Sequence, residues 1–339
     1  MTALLEVDDL TVRLPVEGEM RSVLRDVSFS IEAGSTLGLV GESGSGKSMT
    51  VRTIARLLPT GADVRGSVRF DGREVFDLRA DALRSYRAKD VAMIFQDARA
   101  HTNPVRTIGD FLTEAMCLND RMSKGAARSR ASALLAEVGI SDPDRRLRQH
   151  PHELSGGLLQ RVMIAAAVAA RPRLILADEP TTALDVTTQA EVVAVLQSMQ
   201  REYGMAMLFI THDLELASAA CDETIVLYAG QVMEHQASVS LHRDPLHPYT
   251  AALVQARPDL DKRVQRLPAI AGQPTTAYEA PDGCPFAPRC GFVEDVCRAG
   301  VPPLLQVGGG ETRCARMPEL RGRLLAGVHR GPVDEGVAP

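Results

Sequence analysis

The chain has 339 residues, room for one large domain with a small companion or two of moderate size, and 45% hydrophobic against 24% charged residues is ordinary for a globular protein. A net charge of −5, from 38 basic and 43 acidic side chains, argues against broad nucleic-acid binding, so no nucleic-acid partner is expected. No apolar run approaches the roughly 18 residues of a membrane span; the longest, Val162 to Ala170, stops at Arg171-Pro172, and the N-terminus lacks a secretory leader pattern.

In chain order, Leu5 to Leu14 alternates apolar and polar residues and predicts a strand. Val23-Leu24 and Val27 to Ile31 predict two more, giving a β-rich edge. Thr36 to Val40 reads as a short buried strand, and Val51, Ile54 and Leu58 repeat at helical spacing. Between them, Gly41-Glu42-Ser43-Gly44-Ser45-Gly46-Lys47-Ser48 fits the phosphate-binding pattern G-x-x-x-x-G-K-[ST]. Glycines let successive backbone N–H groups converge on phosphate oxygens, and the helix N-terminus adds its positive dipole end. Lys47 would reach the outer phosphates and the Ser48 hydroxyl would ligate Mg²⁺, so the chain is expected to bind a nucleoside triphosphate.

Asp71-Gly72, between Gly66–Phe70 and Glu74–Phe76, is a hairpin signal, and Val91 to Phe95 a buried strand ending at Gln96. From about Ile108 to Ala170 the pattern turns helical, with Ala131 to Val138 amphipathic. Strand Leu174 to Ala177, helix Gln189 to Gln200, and strands Met207 to Ile210 and Thr224 to Tyr228 follow. That alternation predicts an α/β fold with a mainly parallel core sheet and a helical insertion over about 108–170. Past Ala237 prolines punctuate the chain, which predicts a linker over 241–264, a small cysteine-rich domain over 265–320 and a mobile tail over 321–339.

Strand Leu174 to Ala177 delivers Asp178-Glu179. A carboxylate ending an apolar strand beside a phosphate loop is the expected Mg²⁺ partner, and a second one next to it suits polarising an attacking water. Leu154-Ser155-Gly156-Gly157 lies upstream of that pair, at the start of a helix. With Gln96, Ala183-Leu184-Asp185 and Thr211-His212-Asp213, these motifs stand in one order along residues 4–240. In them the chain resembles the ATP-binding cassette (ABC) family of P-loop NTPases.

The resemblance implies roles by position. ATP would be held by Gly41, Glu42, Ser43, Gly44, Ser45, Gly46, Lys47, Ser48 and Met49, with Gln96 and Asp178. Mg²⁺ would be met by Ser48, Gln96 and Asp178. Glu179 would be the general base, and His212 would steady the γ-phosphate and the attacking water. Ser155, Gly156 and Gly157 would hold the γ-phosphate of ATP bound to an opposite subunit, and Asp185 would touch that subunit. Two departures stand out: Leu158-Leu159 precede Gln160-Arg161 where the signature usually continues with Gln, and Leu14 falls where an aromatic residue usually stacks on adenine. Modest ATP affinity is the expectation.

The wording of Gly41–Ser48, Asn103-Pro104, Asp178–Thr187, His247-Pro248-Tyr249-Thr250 and Gly283-Cys284-Pro285-Phe286-Ala287-Pro288-Arg289-Cys290 narrows the resemblance to ATPase subunits of bacterial oligopeptide/dipeptide (peptide/nickel) importers. It implies a second, related ATPase subunit, two transmembrane permease subunits docked near Gln96 and Asp97 to Pro104, and an extracytoplasmic solute-binding protein. It also implies a peripheral place on the cytoplasmic face of the membrane. A nickel importer, an exporter subunit and an ABC ATPase of DNA repair or translation are the alternatives. Of six cysteines, Cys117 and Cys221 stand apart and read as buried small hydrophobes. Cys284, Cys290, Cys297 and Cys314 are separated by five, six and sixteen residues, a set that suits a metal and lacks the tight C-x₂-C pairs of zinc ribbons. The branch resembled implies a [4Fe–4S] cluster there, with Zn²⁺ the alternative.

Overall fold

The computed structural model describes residues 3–182, 184–256 and 270–327. Strands β1 (Leu5–Val16) and β2 (Glu19–Ile31) form a hairpin through Glu17-Gly18, both at positive φ. Where the sequence predicts two short strands, β2 runs unbroken, because bulges absorb the polar residues that interrupt the alternation. Asp26 sits at such an irregularity with a φ of 48°.

Strand β3 (Thr36–Val40) is wholly buried and leads through the phosphate loop into α1 (Lys47–Ile54). Then come β4 (Asp63–Phe70) and β5 (Arg73–Glu74), with Asp71 and Gly72 both at positive φ in the turn. The strand expected over Glu74–Phe76 is cut to two residues because the Glu74 carboxylate turns back to accept from Ser67 Oγ and the N–H groups of Val68 and Phe76.

Helix α2 (Ala80–Ser85) and a π-turn precede β6 (Val91–Ile94). The helical insertion is α3 (Ile108–Asn119), α4 (Lys124–Glu137), the short α5 (Pro143–Arg146) and α6 (Gly156–Ala169). Thr107 and Asp110 cap α3 reciprocally, and Ser123 and Ser155 cap α4 and α6. Next follow β7 (Leu174–Asp178), α7 (Val186–Tyr203), β8 (Ala206–Thr211), α8 (Leu214–Ala220), β9 (Glu223–Tyr228) and β10 (Gln231–Ala237).

Strands β2-β1-β4-β5 make an antiparallel sheet, while β9-β3-β8-β7-β6 are parallel neighbours in an eight-stranded sheet. Alternate residues of β7 and β8 face opposite cores. Leu174, Leu176, Leu208 and Ile210 pack toward the antiparallel sheet and α1, and Ile175, Ala177, Met207 and Phe209 toward the insertion. Cys221 is buried and Cys117 packs at the margin of the insertion core.

The stretch expected as a linker contains a helix, α9 (Pro248–Gln255), whose buried face includes Tyr249 and Ala252; the remainder of that expected linker, from 257 on, lies outside the described residues. Its N-cap His247 is fully buried, accepts from the Tyr249 N–H at 3.0 Å, and burial holds it well below its ordinary value, at about 3, so it caps as the neutral ring. Two short strands, β11 (Leu305–Val307) and β12 (Gly310–Thr312), extend the eight-stranded sheet beyond β10. Helices α10 (Met317–Leu320) and α11 (Leu324–Gly327) follow. Leu320 and Leu324 are buried, so the expected mobile tail is packed at its start; its part from 328 on lies outside the described residues.

Candidate active site

The turn from β3 into α1 curls around a cavity of about 890 Å³ lined by Gly41 through Met49, Gln96, Glu179 and His212. Gly44 and Gly46 have φ of 79° and 106°, and a Cβ on Gly41 would come within 2.2 Å of the Leu227 carbonyl, so the loop is closed to side chains at that point. Ser45 Oγ is buried with no hydrogen-bond partner among the described residues. An unsatisfied hydroxyl at a cradle of backbone amides fits an anionic oxygen as its partner.

Lys47 is buried and donates to the carbonyls of Gly41 (2.8 Å) and Glu42 (3.1 Å), with its Nζ 3.6 Å from Glu179 Oε1. Burial pulls the ammonium below its ordinary value, opposed chiefly by Glu179. At the next position, Ser48 Oγ donates to Asp178 Oδ1 at 2.8 Å. Burial pushes Asp178 above its ordinary value, and the Ser48 hydroxyl opposes this. A hydroxyl and a carboxylate meeting at the outer end of a phosphate loop are the donor chemistry Mg²⁺ takes, and Gln96 lines the same cavity.

Glu179 is the hub. It has a φ of 45°, in the left-handed region that a non-glycine residue adopts at a cost of about 1–3 kcal/mol, and its N–H donates to the Ile210 carbonyl at the end of β8. That backbone turn carries the carboxylate into the cavity, where Gln96 Nε2 (3.2 Å) and Thr182 Oγ1 (2.8 Å) both donate to Oε2. His212 Nδ1 stands 3.6 Å from the same oxygen. His212 foremost, then Thr182 and Lys47, hold Glu179 down at about 2 against the effect of burial, and Glu179 in turn raises His212. The carboxylate is therefore ionised throughout the neutral range.

Other positions named from the sequence lie elsewhere. Ser155, Gly156 and Gly157 do not line the cavity. Ser155 caps α6, and a Cβ on Gly157 would meet Thr188 Cγ2 at 2.4 Å, so Gly157 also lets α6 and α7 approach. Asp185 caps α7, accepting from the Thr188 N–H (3.0 Å) and hydroxyl (2.6 Å). Leu14 packs against the antiparallel-sheet core and does not line the cavity either.

Sequence reasoning missed Thr182, which hydrogen-bonds the hub, and a set of residues from beyond β9 that hold the phosphate loop from behind. Arg289 grips the Glu42 carboxylate with both terminal nitrogens, at 2.6 and 3.1 Å, and also donates to Tyr228 Oη at 3.2 Å. The Glu42 N–H donates to Tyr249 Oη at 3.0 Å. Arg289 stood in view between two cysteines, and Tyr249 in the His247–Thr250 motif, but neither partner 247 or 207 residues away is visible in sequence.

Cys284, Cys297 and Cys314 are buried and Cys290 half-buried, and a charge on any of the other three would be felt at Cys290. Burial foremost pushes the thiols of Cys284, Cys290 and Cys314 up to about 11, 12 and 11. Four thiols are the donor type that a thiolate-ligated group takes. Among the described residues, however, no three His, Cys, Asp or Glu side chains are gathered closely enough to hold a metal ion.

A phosphate loop at the carboxyl edge of a parallel sheet, facing a buried Asp and a Glu–His pair, defines a P-loop nucleoside triphosphatase. The chain belongs to the ABC transporter family of ATPases: that family's model matches residues 24–182, and the model of the oligopeptide/dipeptide transporter C-terminal region matches residues 233–297. It is 41% identical over 315 residues to the oligopeptide transport ATP-binding protein OppD of Salmonella typhimurium, covering 93% of this chain and 94% of that one. To OppD of Mycobacterium tuberculosis it is 44% identical over 333 residues, 97% of this chain and 54% of the relative. Among solved structures it resembles the dimeric, post-hydrolysis ATP-binding cassette MJ0796 bound to ADP and Pi, with a TM-score of 0.62 and 30% identity over 69% of this chain and 98% of that one.

Proposed function

We propose that this chain is the ATP-hydrolysing subunit that energises import of short peptides through a membrane transporter. The observation that carries the reading is the convergence of Lys47, Gln96, Thr182 and His212 on Glu179, beside the Ser48–Asp178 pair. Near-full-length similarity to oligopeptide transport ATP-binding proteins supplies the cargo class.

In this reading the amides of the loop and Lys47 hold the phosphates of ATP, and Met49 borders them. Ser48, Asp178 and Gln96 would hold Mg²⁺, which when bound shields phosphate charge. Glu179, already ionised, accepts a proton from the attacking water as general base, and His212 steadies that water and the γ-phosphate. Ser155, Gly156 and Gly157, which do not line their own chain's cavity, serve the ATP of a second and related cassette, and Asp185 meets that cassette across the interface. Two permease subunits dock beside Gln96 and Asp97 to Pro104, where Val105 is 80% exposed, and an extracytoplasmic binding protein delivers the peptide. Among the described residues no helix is long and apolar enough to cross a membrane, which agrees with a peripheral subunit on its cytoplasmic face.

The test is uptake of a labelled short peptide by vesicles holding the assembled transporter. Wild-type protein should drive uptake, and Glu179→Gln should keep ATP binding while hydrolysis and uptake fall about 10²- to 10⁴-fold. ATP turnover without peptide movement would overturn the cargo, and unchanged turnover in Glu179→Gln would overturn the base.

The four cysteines carry, in our reading, a [4Fe–4S] cluster acting as a structural staple for the loops around Cys284 and Cys297. The thiol donor set supports it, as does the need of so loop-rich a segment for a cross-link, although the side chains are not gathered closely enough to hold a metal ion as they stand. Anaerobically purified protein should contain about four irons and four sulfides per chain, with visible absorbance. One zinc per chain without colour would assign Zn²⁺ instead.

A further inference from the structure

An ATP site needs a wall for the base as well as a cradle for the phosphates, and the sequence expectation put Leu14 there. Instead, the cavity wall contributed by β2 is Val23, and Thr276, Ala277 and Tyr278 from far along the chain line it too. Among the described residues lining the cavity, Tyr278 alone carries a phenyl-type ring. We infer that Tyr278 is the residue on which adenine stacks, so that the nucleotide's base is held by the C-terminal part of the same chain.

The position is built. The Thr275 N–H donates to Tyr228 Oη at 3.1 Å, and Thr276 Oγ1 donates to Glu279 Oε2 at 2.6 Å. A Cβ on Gly230 would meet that of Ala277 at 2.9 Å, so the segment sits directly on the β9–β10 turn, and a Cβ on Gly44 of the phosphate loop would be 4.0 Å from Thr276 Cγ2. Tyr278 nevertheless remains 41% exposed, an aromatic ring anchored by its backbone and not covered by the core. The Arg21 guanidinium lies over the ring, 5.4 Å from its centroid. Arg21 is the direct cross-strand partner of Leu14, so the Arg21–Tyr278 pair occupies the neighbourhood where a β1 aromatic would have stood. An aromatic with a cation over the ring offers its remaining face to a base, which brings a π-surface of its own. The inference rests on ATP as the ligand of this cavity.

The experiment measures dissociation constants of the full chain for ATP and for inorganic tripolyphosphate, by competition against a fluorescent nucleotide. Tyr278→Ala should weaken ATP binding about five- to a hundredfold, as expected for loss of one base–aromatic stack, and leave tripolyphosphate binding unchanged. Tyr278→Phe and Leu14→Ala should both keep wild-type ATP affinity. Unchanged ATP affinity in Tyr278→Ala would overturn the inference. So would equal losses for ATP and tripolyphosphate, since the ring would then only prop the phosphate loop. If Tyr278→Ala fails to fold, Tyr278→Leu, which keeps bulk without a π-face, is read the same way. Failure of the wild-type chain to bind ATP would contradict the ATPase reading itself and not the choice of residue.

Discussion

Glu179 and His212 titrate as partners, and the signs of their shifts set the pH range of the site. Glu179 lies below its ordinary 4.5, at about 2, so its charged form contributes stability above pH 4.5 that is lost as pH falls through about 2. His212 lies above its ordinary 6.5, so its protonated form contributes stability below pH 6.5 that is lost as pH rises through the raised value. Glu179→Gln removes the main cause of the histidine's shift. The His212 ring, followed by NMR through a pH titration, should therefore titrate lower in Glu179→Gln, toward 6.5. A midpoint unmoved by the substitution would show that the two side chains do not face one another. Catalysis lost on mild acidification then belongs to groups other than Glu179, because its proton is not taken up until far lower pH.

The phosphate loop is fastened from behind by a segment that the sequence places at the other end of the chain. The Arg289 side chain is 3% exposed and its partner Glu42 22%, a pair whose rupture leaves a charge without compensation. Arg289→Met should lower the chemical-denaturation stability by about 3 kcal/mol, and adding Glu42→Gln should restore part of it. Single and double losses that simply add, within about 0.5 kcal/mol, would mean the pair is not coupled. Legibility in the sequence follows the same division. The β3–loop–α1 unit, the strands β7 and β8 and the acidic end of β7 are local patterns, and the structure places them as their residues predict. Strands β11 and β12 have three residues each, too few for a period to register, and they are strands only because β10 offers an edge. Helix α9 was hidden by the prolines at 245 and 248, of which Pro248 in fact occupies the first helical position, where its missing N–H costs nothing. Tyr278 and Arg289 were invisible as site residues because what defines them is a contact partner more than two hundred residues away.

At the scale of the whole molecule, the ATP site is two things at once. It is a closed circuit behind the phosphates, where β3, β7, β8 and the C-terminal segment meet around Glu42, Asp178 and Glu179. On the side of Gln96 and His212 it is open, and the helix headed by Ser155 stands away from it. Ser155, Gly156 and Gly157 do not line the cavity of their own chain, and in the proposed reading they serve a nucleotide held by a second cassette that closes over Glu179. The structural relative MJ0796 is described as a dimer with ADP and Pi. The most direct measurement is the steady-state ATP hydrolysis rate of the purified chain, alone across a range of concentrations and then combined with the proposed companion ATPase and permease subunits. Slow turnover alone and a large rise on assembly are expected. Full-rate hydrolysis by the isolated monomer, independent of concentration and unaltered by its partners, would contradict that expectation.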